Sequence, residues 1–435
     1  MSTLAFAVRG SVAALDAAQR RALFDRSTSG DAGIRDDTSR ILARVRREGD
    51  VALVALAREF DGATLDSVEI PRTSWEAALA SLDPALRRAL ERAAANIRAV
   101  HEAFRSMASE VVTVDGAVIG RRPDPLARVG VYAPGGRATY PSSLLMGAIP
   151  ARVAGVREVI VCSPPDASGS PSAVLLAAAV IAGVDRVFAV GGAGAIGAMA
   201  YGTATIPAVD RLVGPGNAWV AEAKLQVSGM VGIDSPAGPS ELLVLADASA
   251  SPVVIAREML AQAEHDPRAA VVLVSDALSL VAAVDRELSA RVREEPRAEV
   301  IRAAFAARGG LLTVSSRDEA IVFANRWAAE HLLLVVAPAT QDATLAQLRS
   351  AGTIFVGESA SVAFGDYMSG ANHVLPTGGL SRIWSGLSTL DFVRWTTWQK
   401  IGRETARALA HDVDVFATAE GLPAHAATAR QWGES

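Results

Sequence analysis

Short apolar, β-rich runs that alternate with helix-length segments dominate the sequence from about residue 128 onward. Four such runs, at 128–133, 158–163, 186–190 and 211–214, are each followed by glycine or proline and then by a helical stretch. This alternation is typical of parallel βαβ units, whose strands are buried because helices cover both faces of the sheet. The pattern therefore predicts an α/β protein built on parallel sheets.

A second series of strand-like runs follows a junction near 234–239. Its members lie at 241–247, 270–275, 311–314, 332–336 and 353–357. Before about residue 110, apolar residues recur at helical spacing and predict helices at 39–48, 50–60 and 84–104. After about residue 380 we expect helices again, including a segment that carries Trp384, Trp395 and Trp398 and a final helix after Pro423.

Composition excludes several classes of protein. The 435 residues include 47 acidic and 42 basic side chains, a net charge of −5, so we expect no nucleic-acid partner. The single cysteine, Cys162, excludes an intramolecular disulfide or a cysteine-ligated metal cluster and favours a reducing, cytoplasmic location. The longest apolar run, 173–184, is too short to cross a bilayer, and the N-terminus lacks the features of a signal peptide.

Glycine-rich loops follow three of the predicted strands. The segment Gly192–Gly197 fits the G-x-G-x-x-G pattern that admits a pyrophosphate at a helix N-terminus, but Asp210 precedes the next strand instead of ending it. The loops at 130–136 and 214–217 lie at similar positions, where ligand crevices form in parallel sheets. Each of these loops can equally be a tight turn, and both interpretations stay open.

Four of the six histidines lie in polar clusters, at 262–266, 330–331, 365–373 and 420–425. Gln262 and His265 are three residues apart on a predicted helix, so they project from one face. Histidine beside Asp, Glu or Gln, without cysteine, is typical of a metal site with nitrogen and oxygen ligands, although a single histidine is more often a core or surface residue. His101 and His411 lie on polar helical stretches, where we expect solvated side chains.

These clusters and their surroundings closely resemble the histidinol dehydrogenase family over nearly the whole chain. The matching segments are GVYAPGGRATYPSSLLMGAIPARVAGV, VGGAGAIGAMAYGTATIPAVDRLVGPGNAWVAEAK, IDSPAGPSELLVLAD, LAQAEHD, AEHL, FGDYMSGANHVLPT, SGLSTLDF and AEGLPAH. The resemblance implies an enzyme that oxidises L-histidinol to L-histidine through the aldehyde with two NAD, the last step of histidine biosynthesis.

The resemblance also implies which residues carry out the reaction. The acid–base pair would be Glu330 and His331, and one zinc ion per subunit would be held by Gln262, His265, Asp366 and His425. The substrate would contact these six residues together with Ser240, His373 and Glu420. The NAD positions correspond to Tyr132, Gly194 and Asn217.

The implied architecture is two incomplete Rossmann-like, parallel-sheet domains, one inserted in the other, with helical N- and C-terminal extensions. We expect a helical arm at 1–25, a first α/β domain formed by 26–128 and 240–380, and an inserted domain at 129–239. The helical tail at 381–435 would cross to the partner of a homodimer, so that His425 completes the partner's active site. No membrane partner is expected.

The sequence departs from the family pattern at two positions. Gly194 replaces the glutamine of the usual GGAQAI motif, and Ala329 replaces the proline of PEHL. These changes leave open a related enzyme that oxidises another small polar alcohol, or a non-catalytic metal- or nucleotide-binding protein. The presence of Glu330, His331 and every expected zinc ligand favours an enzyme. Cys162, at the end of a predicted buried strand, is expected to be an inert thiol and not a nucleophile.

Overall fold

All nine runs predicted as strands form strands, and all nine lie in parallel sheets. In this computed structural model, which describes residues 4–26, 31–135 and 139–433, the strands are β1 (Val8–Ser11), β2 (Ser109–Val112), β3 (Val118–Pro125), β4 (Arg128–Tyr132), β5 (Glu158–Ser163), β6 (Arg186–Ala189), β7 (Arg211–Val213), β8 (Gly232–Ile233), β9 (Glu241–Ala246), β10 (Ala270–Ser275), β11 (Gly310–Thr313), β12 (His331–Val335), β13 (Thr353–Val356) and β14 (Val393–Lys400).

Helices are present over the three ranges predicted from helical spacing, and several further helices lie between successive strands. They are α1 (Ala17–Phe24), α2 (Ala32–Glu48), α3 (Asp50–Leu56), α4 (Arg72–Ser81), α5 (Pro84–Ala103), α6 (Pro141–Ala154), α7 (Ala173–Ala182), α8 (Gly192–Tyr201), α9 (Ala218–Val227), α10 (Pro252–Ala263), α11 (Leu278–Arg291), α12 (Ala298–Arg308), α13 (Arg317–Trp327), α14 (Pro338–Leu345), α15 (Val362–Tyr367), α16 (Arg403–Ala419) and α17 (Pro423–Gly433). A π-helical turn, Ala57–Asp61, continues α3.

Two separate parallel sheets confirm the predicted α/β class. One sheet has six strands in the order β1-β11-β10-β9-β12-β13, and the other has five in the order β6-β5-β4-β7-β8. A third, antiparallel sheet joins β14, β3 and β2. The six-stranded sheet has helices on both faces, since Leu242 and Val244 pack into one apolar cluster and Leu243 and Leu245 into another.

Local sequence signals set the ends of the long N-terminal helices. Asp83 caps α5 by accepting hydrogen bonds from the N–H groups of Ala85 and Leu86, and Pro84 occupies the first turn. Helix α2 ends at Gly49, as its sequence predicts. Within the described ranges, no helix is both long enough and apolar enough to cross a membrane.

The N-terminal segment and the first helices are arranged differently from the prediction. The expected helical arm at 1–25 contains strand β1, which pairs with β11 at the edge of the six-stranded sheet. The run VRGS has no alternation of apolar and polar residues, so its sequence does not indicate a strand. Helices α2 to α5, expected with the first domain of 26–128 and 240–380, share their apolar core with the inserted five-stranded sheet. Periodicity identifies an apolar helix face but not the surface that this face contacts.

The C-terminal segment is also not wholly helical. Trp395 and Trp398 lie on strand β14, which pairs antiparallel with β3, whereas a helix was expected there. The ring of Trp398 lies across Gly120, where a Cβ atom would be only 2.1 Å from it. The residues that pair with Trp395 and Trp398 are more than 270 positions away in sequence, so local periodicity could not identify them. Helices α16 and α17 then complete the described chain.

His101 is buried, and its expected solvation is therefore wrong. It follows Leu90, Ala94 and Ile97 on the apolar face of α5, and neither ring nitrogen has a hydrogen-bond partner among the described residues. Burial disfavours the charged imidazolium and lowers the pKa of His101 to about 4. His411 is exposed, as predicted.

Because the folded protein keeps His101 neutral, proton uptake by the unfolded chain below the ordinary pKa of 6.5 should lower stability. We expect this residue to reduce the free energy of unfolding by about 2 kcal/mol between pH 7 and pH 5. Urea unfolding of His101→Leu at the two pH values should show a correspondingly smaller loss, whereas the control His411→Leu should behave like the wild type. An unchanged pH dependence in His101→Leu would contradict this assignment.

Candidate active site

Glu330 and His331 lie at the amino end of β12, between β9 and β13 in the six-stranded sheet. Both side chains are buried. The first residue of β9, Glu241, contacts them through its backbone: its N–H donates to Glu330 Oε2 at 2.6 Å. Its carbonyl oxygen lies 3.1 Å from His331 Nδ1. Since a carbonyl oxygen only accepts, Nδ1 carries the proton and the neutral ring has its lone pair on Nε2.

His331 Nε2 is buried and has no hydrogen-bond partner among the described residues. Its nearest acidic neighbour is Asp366, whose Oδ1 lies 3.7 Å away. An unpartnered buried nitrogen of this kind is the position where a substrate hydroxyl could be deprotonated.

The protonation of His331 is governed by its carboxylate neighbours. Burial alone lowers the pKa of His331, but the carboxylate of Glu330, 3.4 Å from Nδ1, and that of Asp366 raise it, with a net value of about 9. The neutral ring that can accept a proton therefore forms as the pH rises through about 9.

Asp366 and His373 approach this pair from the segment that follows β13. The imidazole Nδ1 of His373 lies 2.9 Å from the carbonyl oxygen of Asp366, so that Nδ1 donates to it. The other nitrogen, Nε2, lies 3.3 Å from Ser143 Oγ on α6, a helix of the five-stranded sheet. Burial is the largest influence on His373 and lowers its pKa. Side chains carried by the two sheets thus meet at one place.

The expected metal ligands are not all assembled within one chain. Gln262 is buried near the end of α10, Asp366 is partly buried, and His265 is exposed. His425 lies exposed on α17, and Glu420 lies exposed just beyond α16. No three His, Cys, Asp or Glu residues of the described chain come together as a metal cluster. Ser240 immediately precedes β9 and is partly buried.

The expected cofactor residues lie at the carboxyl edge of the five-stranded sheet. Tyr132 ends β4, and its hydroxyl accepts a hydrogen bond from the N–H of Gly192 at 3.1 Å. Burial raises the pKa of Tyr132 to about 12. Asn217 follows β7, is exposed, and caps α9 by accepting from the N–H of Val220. Gly214 has φ +115°, and a Cβ there would be 2.0 Å from the Tyr132 carbonyl oxygen, so this close approach requires glycine.

Two of the three glycines of the G-x-G-x-x-G segment, Gly194 and Gly197, serve helix packing. A Cβ at Gly194 would be 3.0 Å from Leu56 Cδ1, and one at Gly197 would be 3.0 Å from Leu42 Cδ2. Position 194 therefore faces α3, and its small size lets α8 pack closely against α2 and α3. Cys162 is fully buried in β5, and burial raises the pKa of its thiol, as expected of an inert cysteine.

Two residues beside the site were not found by sequence analysis. Glu241 is the charged first residue of the otherwise apolar run ELLVLA. A charge at the start of a buried strand is the sequence feature that could have identified it. Asp61 ends the π-helical turn after α3, where burial raises its pKa to about 6 and its charge raises the pKa of Tyr132. The Asp61-Gly62 pair indicated only the end of a helix.

Comparison with known proteins identifies the family. The histidinol dehydrogenase family model matches residues 24–431. The chain belongs to the histidinol dehydrogenase family. Relatives named histidinol dehydrogenase include those of Halobacterium salinarum, 49% identical over 96% of this chain and 97% of the relative, and Nitrosomonas europaea, 44% identical over 92% of each. The crystal structure of histidinol dehydrogenase from Elizabethkingia anophelis superposes with a TM-score of 0.94 at 31% identity, covering 100% of this chain and 99% of that one.

The family's usual proline before Glu330 is Ala329 in this chain. Its carbonyl oxygen accepts hydrogen bonds from the Gly352 N–H and from Ser381 Oγ, both at 2.9 Å. The preceding residue, Ala328, has φ +53°, which is rare for a residue with a Cβ atom. The backbone before Glu330 is therefore held by hydrogen bonds, although the proline is absent.

Replacing Glu330 by Gln should lower the pKa of His331, because it removes the closest carboxylate that raises this value. NMR of metal-free protein labelled with ¹⁵N-histidine measures the pKa directly, since the chain has only six histidines. The wild-type His331 signal should titrate near pH 9 and the Glu330→Gln signal at lower pH. Glu264→Gln, which alters an acidic side chain outside this group, serves as the control. Equal pKa values in wild type and Glu330→Gln would refute the electrostatic assignment.

Proposed function

We propose that the protein oxidises L-histidinol to L-histidine through L-histidinaldehyde, reducing two NAD, as the last step of histidine biosynthesis. The observation that carries this proposal is the buried Glu330–His331 pair with a free Nε2, in a chain that belongs to the family over 24–431. A cytoplasmic location is part of the proposal, because a single cysteine suits a reducing compartment.

His331 is the proposed general base of the alcohol step. Hydride can leave the carbinol carbon only as the hydroxyl proton is removed, and in the neutral ring Nε2 is the atom whose lone pair can take that proton. The Glu241 carbonyl holds Nδ1–H, so the ring cannot turn without losing a buried hydrogen bond.

Glu330 is the proposed base for the aldehyde step. Oxidation of an aldehyde to an acid first requires addition of water to the carbonyl, and a carboxylate beside His331 can take a proton from that water. Burial of both residues keeps bulk solvent from the reactive aldehyde. Ser240, His373 and Glu420 are proposed as further contacts to the substrate.

NAD would supply the hydride acceptor for both steps. Tyr132 and Asn217 are the proposed contacts, and their place at the carboxyl edge of a parallel sheet supports this. The side-chain contact expected at position 194 is replaced by packing against Leu56, so we propose that only the backbone contributes there.

Zinc is proposed at Gln262, His265, Asp366 and the partner subunit's His425. The donors fit in kind, because they offer nitrogen and oxygen atoms. Among the residues that the structure describes, the Asp366 carboxylate makes long contacts, of 3.7 and 4.0 Å, to the two nearby imidazoles. When bound, the metal would anchor the substrate and polarise its oxygen.

A homodimer with shared sites is proposed from the exposure of the C-terminal helices. Glu420 and His425 are exposed in the single chain, beside exposed apolar residues that include Phe416, 70% exposed, and Leu422. An apolar surface of this kind is typical of a protein–protein interface. A two-fold axis would then build two equivalent sites.

Product analysis tests the reaction. Purified protein with NAD and histidinol should form histidine and two NADH per substrate, and chelation should stop turnover until zinc is added.

His331→Asn should lose roughly two to four powers of ten in alcohol oxidation. Glu330→Gln should impair oxidation of added histidinaldehyde more than that of histidinol. One NADH and an accumulated aldehyde would instead indicate a related enzyme acting on another small polar alcohol, which the Gly194 and Ala329 departures leave open.

Subunit mixing tests the shared site. Inactive His265→Ala and His425→Ala variants, dissociated and reassociated together, should form heterodimers with one intact and one doubly damaged site. Activity should return to about half of the wild-type value per heterodimer. If mass spectrometry verifies exchange and no activity returns, each tail completes the site of its own chain.

A further inference from the structure

A buried ion pair lies directly behind the Glu330–His331 pair. Arg26 Nε donates to Glu241 Oε1 at 2.8 Å, and the two side chains are only 1% and 2% exposed. Neither residue is among the proposed catalytic, substrate, metal or cofactor contacts. They come from distant parts of the chain, the segment after α1 and the first residue of β9.

Arg26 connects the two segments that hold the catalytic pair. Its guanidinium stacks over the Trp327 ring at 3.6 Å from the centroid, and Nη2 donates to the Trp327 carbonyl oxygen at 2.5 Å. Trp327 ends α13 and leads through Ala328, at positive φ, to Glu330. Through Nε the same guanidinium donates to the Glu241 carboxylate. The backbone N–H of Glu241 contacts Glu330, and its backbone carbonyl contacts His331.

Glu241 is held from a second side, since Oε1 also accepts from the Gly378 N–H at 2.8 Å. Its Oε2 is buried and has no partner among the described residues. Burial raises the pKa of Glu241, and the negative charge of Glu330 adds to this, while Arg26 opposes it. Arg26 itself has a lowered pKa because of burial, with Arg308 and Arg382 nearby as further cations.

Net stability does not account for such a pair. Removing two charges from water offsets most of the attraction between them, so a buried ion pair contributes less than an apolar pair of similar size. Its directional hydrogen bonds fix geometry instead. Here they join the side-chain carboxylate of Glu241, the first residue of β9, to the backbone carbonyl of Trp327, which leads into the neighbouring strand β12.

We propose that Arg26 and Glu241 are positioning residues. Their ion pair holds the backbone N–H and carbonyl of Glu241, and the turn from Trp327 to Glu330, so that Glu330 and His331 keep their reactive orientation. The predicted effect on rate rests on the proposed function, whereas the predicted effect on His331 does not. Displacement of a catalytic group by about 1 Å can cost roughly a hundredfold in rate. We therefore expect tenfold to hundredfold losses in kcat, with little change in the KM for NAD.

The test compares Glu241→Gln, Arg26→Met and the double variant in the metal-loaded enzyme. The double variant leaves no unpaired buried charge, so its stability should recover relative to the single variants while kcat stays low. Glu69→Gln is the matched control, because it breaks the bidentate Arg186–Glu69 pair of the other sheet without contacting the site. Its kcat should equal that of the wild type.

The Nδ1–H proton of His331, followed by NMR hydrogen exchange, gives a readout that needs no turnover. It should exchange faster in the double variant than in wild type and Glu69→Gln. A double variant with wild-type kcat and unchanged Nδ1–H exchange would overturn the proposal. If these variants fail to fold, Arg26→Lys replaces them, because an ammonium group cannot bind Glu241 and Trp327 simultaneously. This variant should show the same loss of kcat and faster exchange of the His331 Nδ1–H proton. Wild-type kcat and exchange in Arg26→Lys would overturn the proposal. If wild-type protein does not oxidise histidinol, the exchange comparison alone decides.

Discussion

The parallel pairing of β9 with β12 is the constraint on which the site depends. His331 lies opposite Leu242 in this register, so the backbone of Glu241 meets the side chains of both Glu330 and His331. The N–H of Glu241 thus donates to Glu330 and its carbonyl oxygen accepts from His331, which orients the carboxylate and leaves Nε2 as the ring nitrogen without a partner among the described residues. A shift of one residue would move every side chain of β12 to the opposite face and separate these groups.

Contacts between the two sheets complete the site. The segment with Asp366 and His373 follows β13 of the six-stranded sheet but binds helices of the five-stranded sheet. Asn96 on α5 donates to the Met368 carbonyl oxygen at 2.7 Å, and Asn372 donates to the Met146 carbonyl oxygen on α6 at 2.8 Å. These bonds hold the proposed substrate side of one sheet against the proposed cofactor side of the other, as the proposed hydride transfer requires.

The same residue type has different roles in this chain according to its packing. Gly214 permits the close approach to Tyr132, whereas Gly194 and Gly197 make room for Leu56 and Leu42 between helices. His101 is an uncharged core residue, while His331, also buried, has its pKa raised by Glu330. Motif spacing alone distinguishes neither the glycines nor the histidines, because the deciding neighbours are distant in sequence.

The sequence by itself determined the nine central strands, the long N-terminal helices and the family, because buried parallel strands have continuous apolar runs and family motifs are contiguous. The sequence also identified the polar clusters that contain Glu330, Asp366 and His373 as candidate site residues. Only the tertiary structure decided that β1 and β14 are strands, which sheet α2–α5 cover, and that Arg26 lies behind Glu241. Those features depend on pairings between segments far apart in the chain, where local periodicity carries no information about the partner.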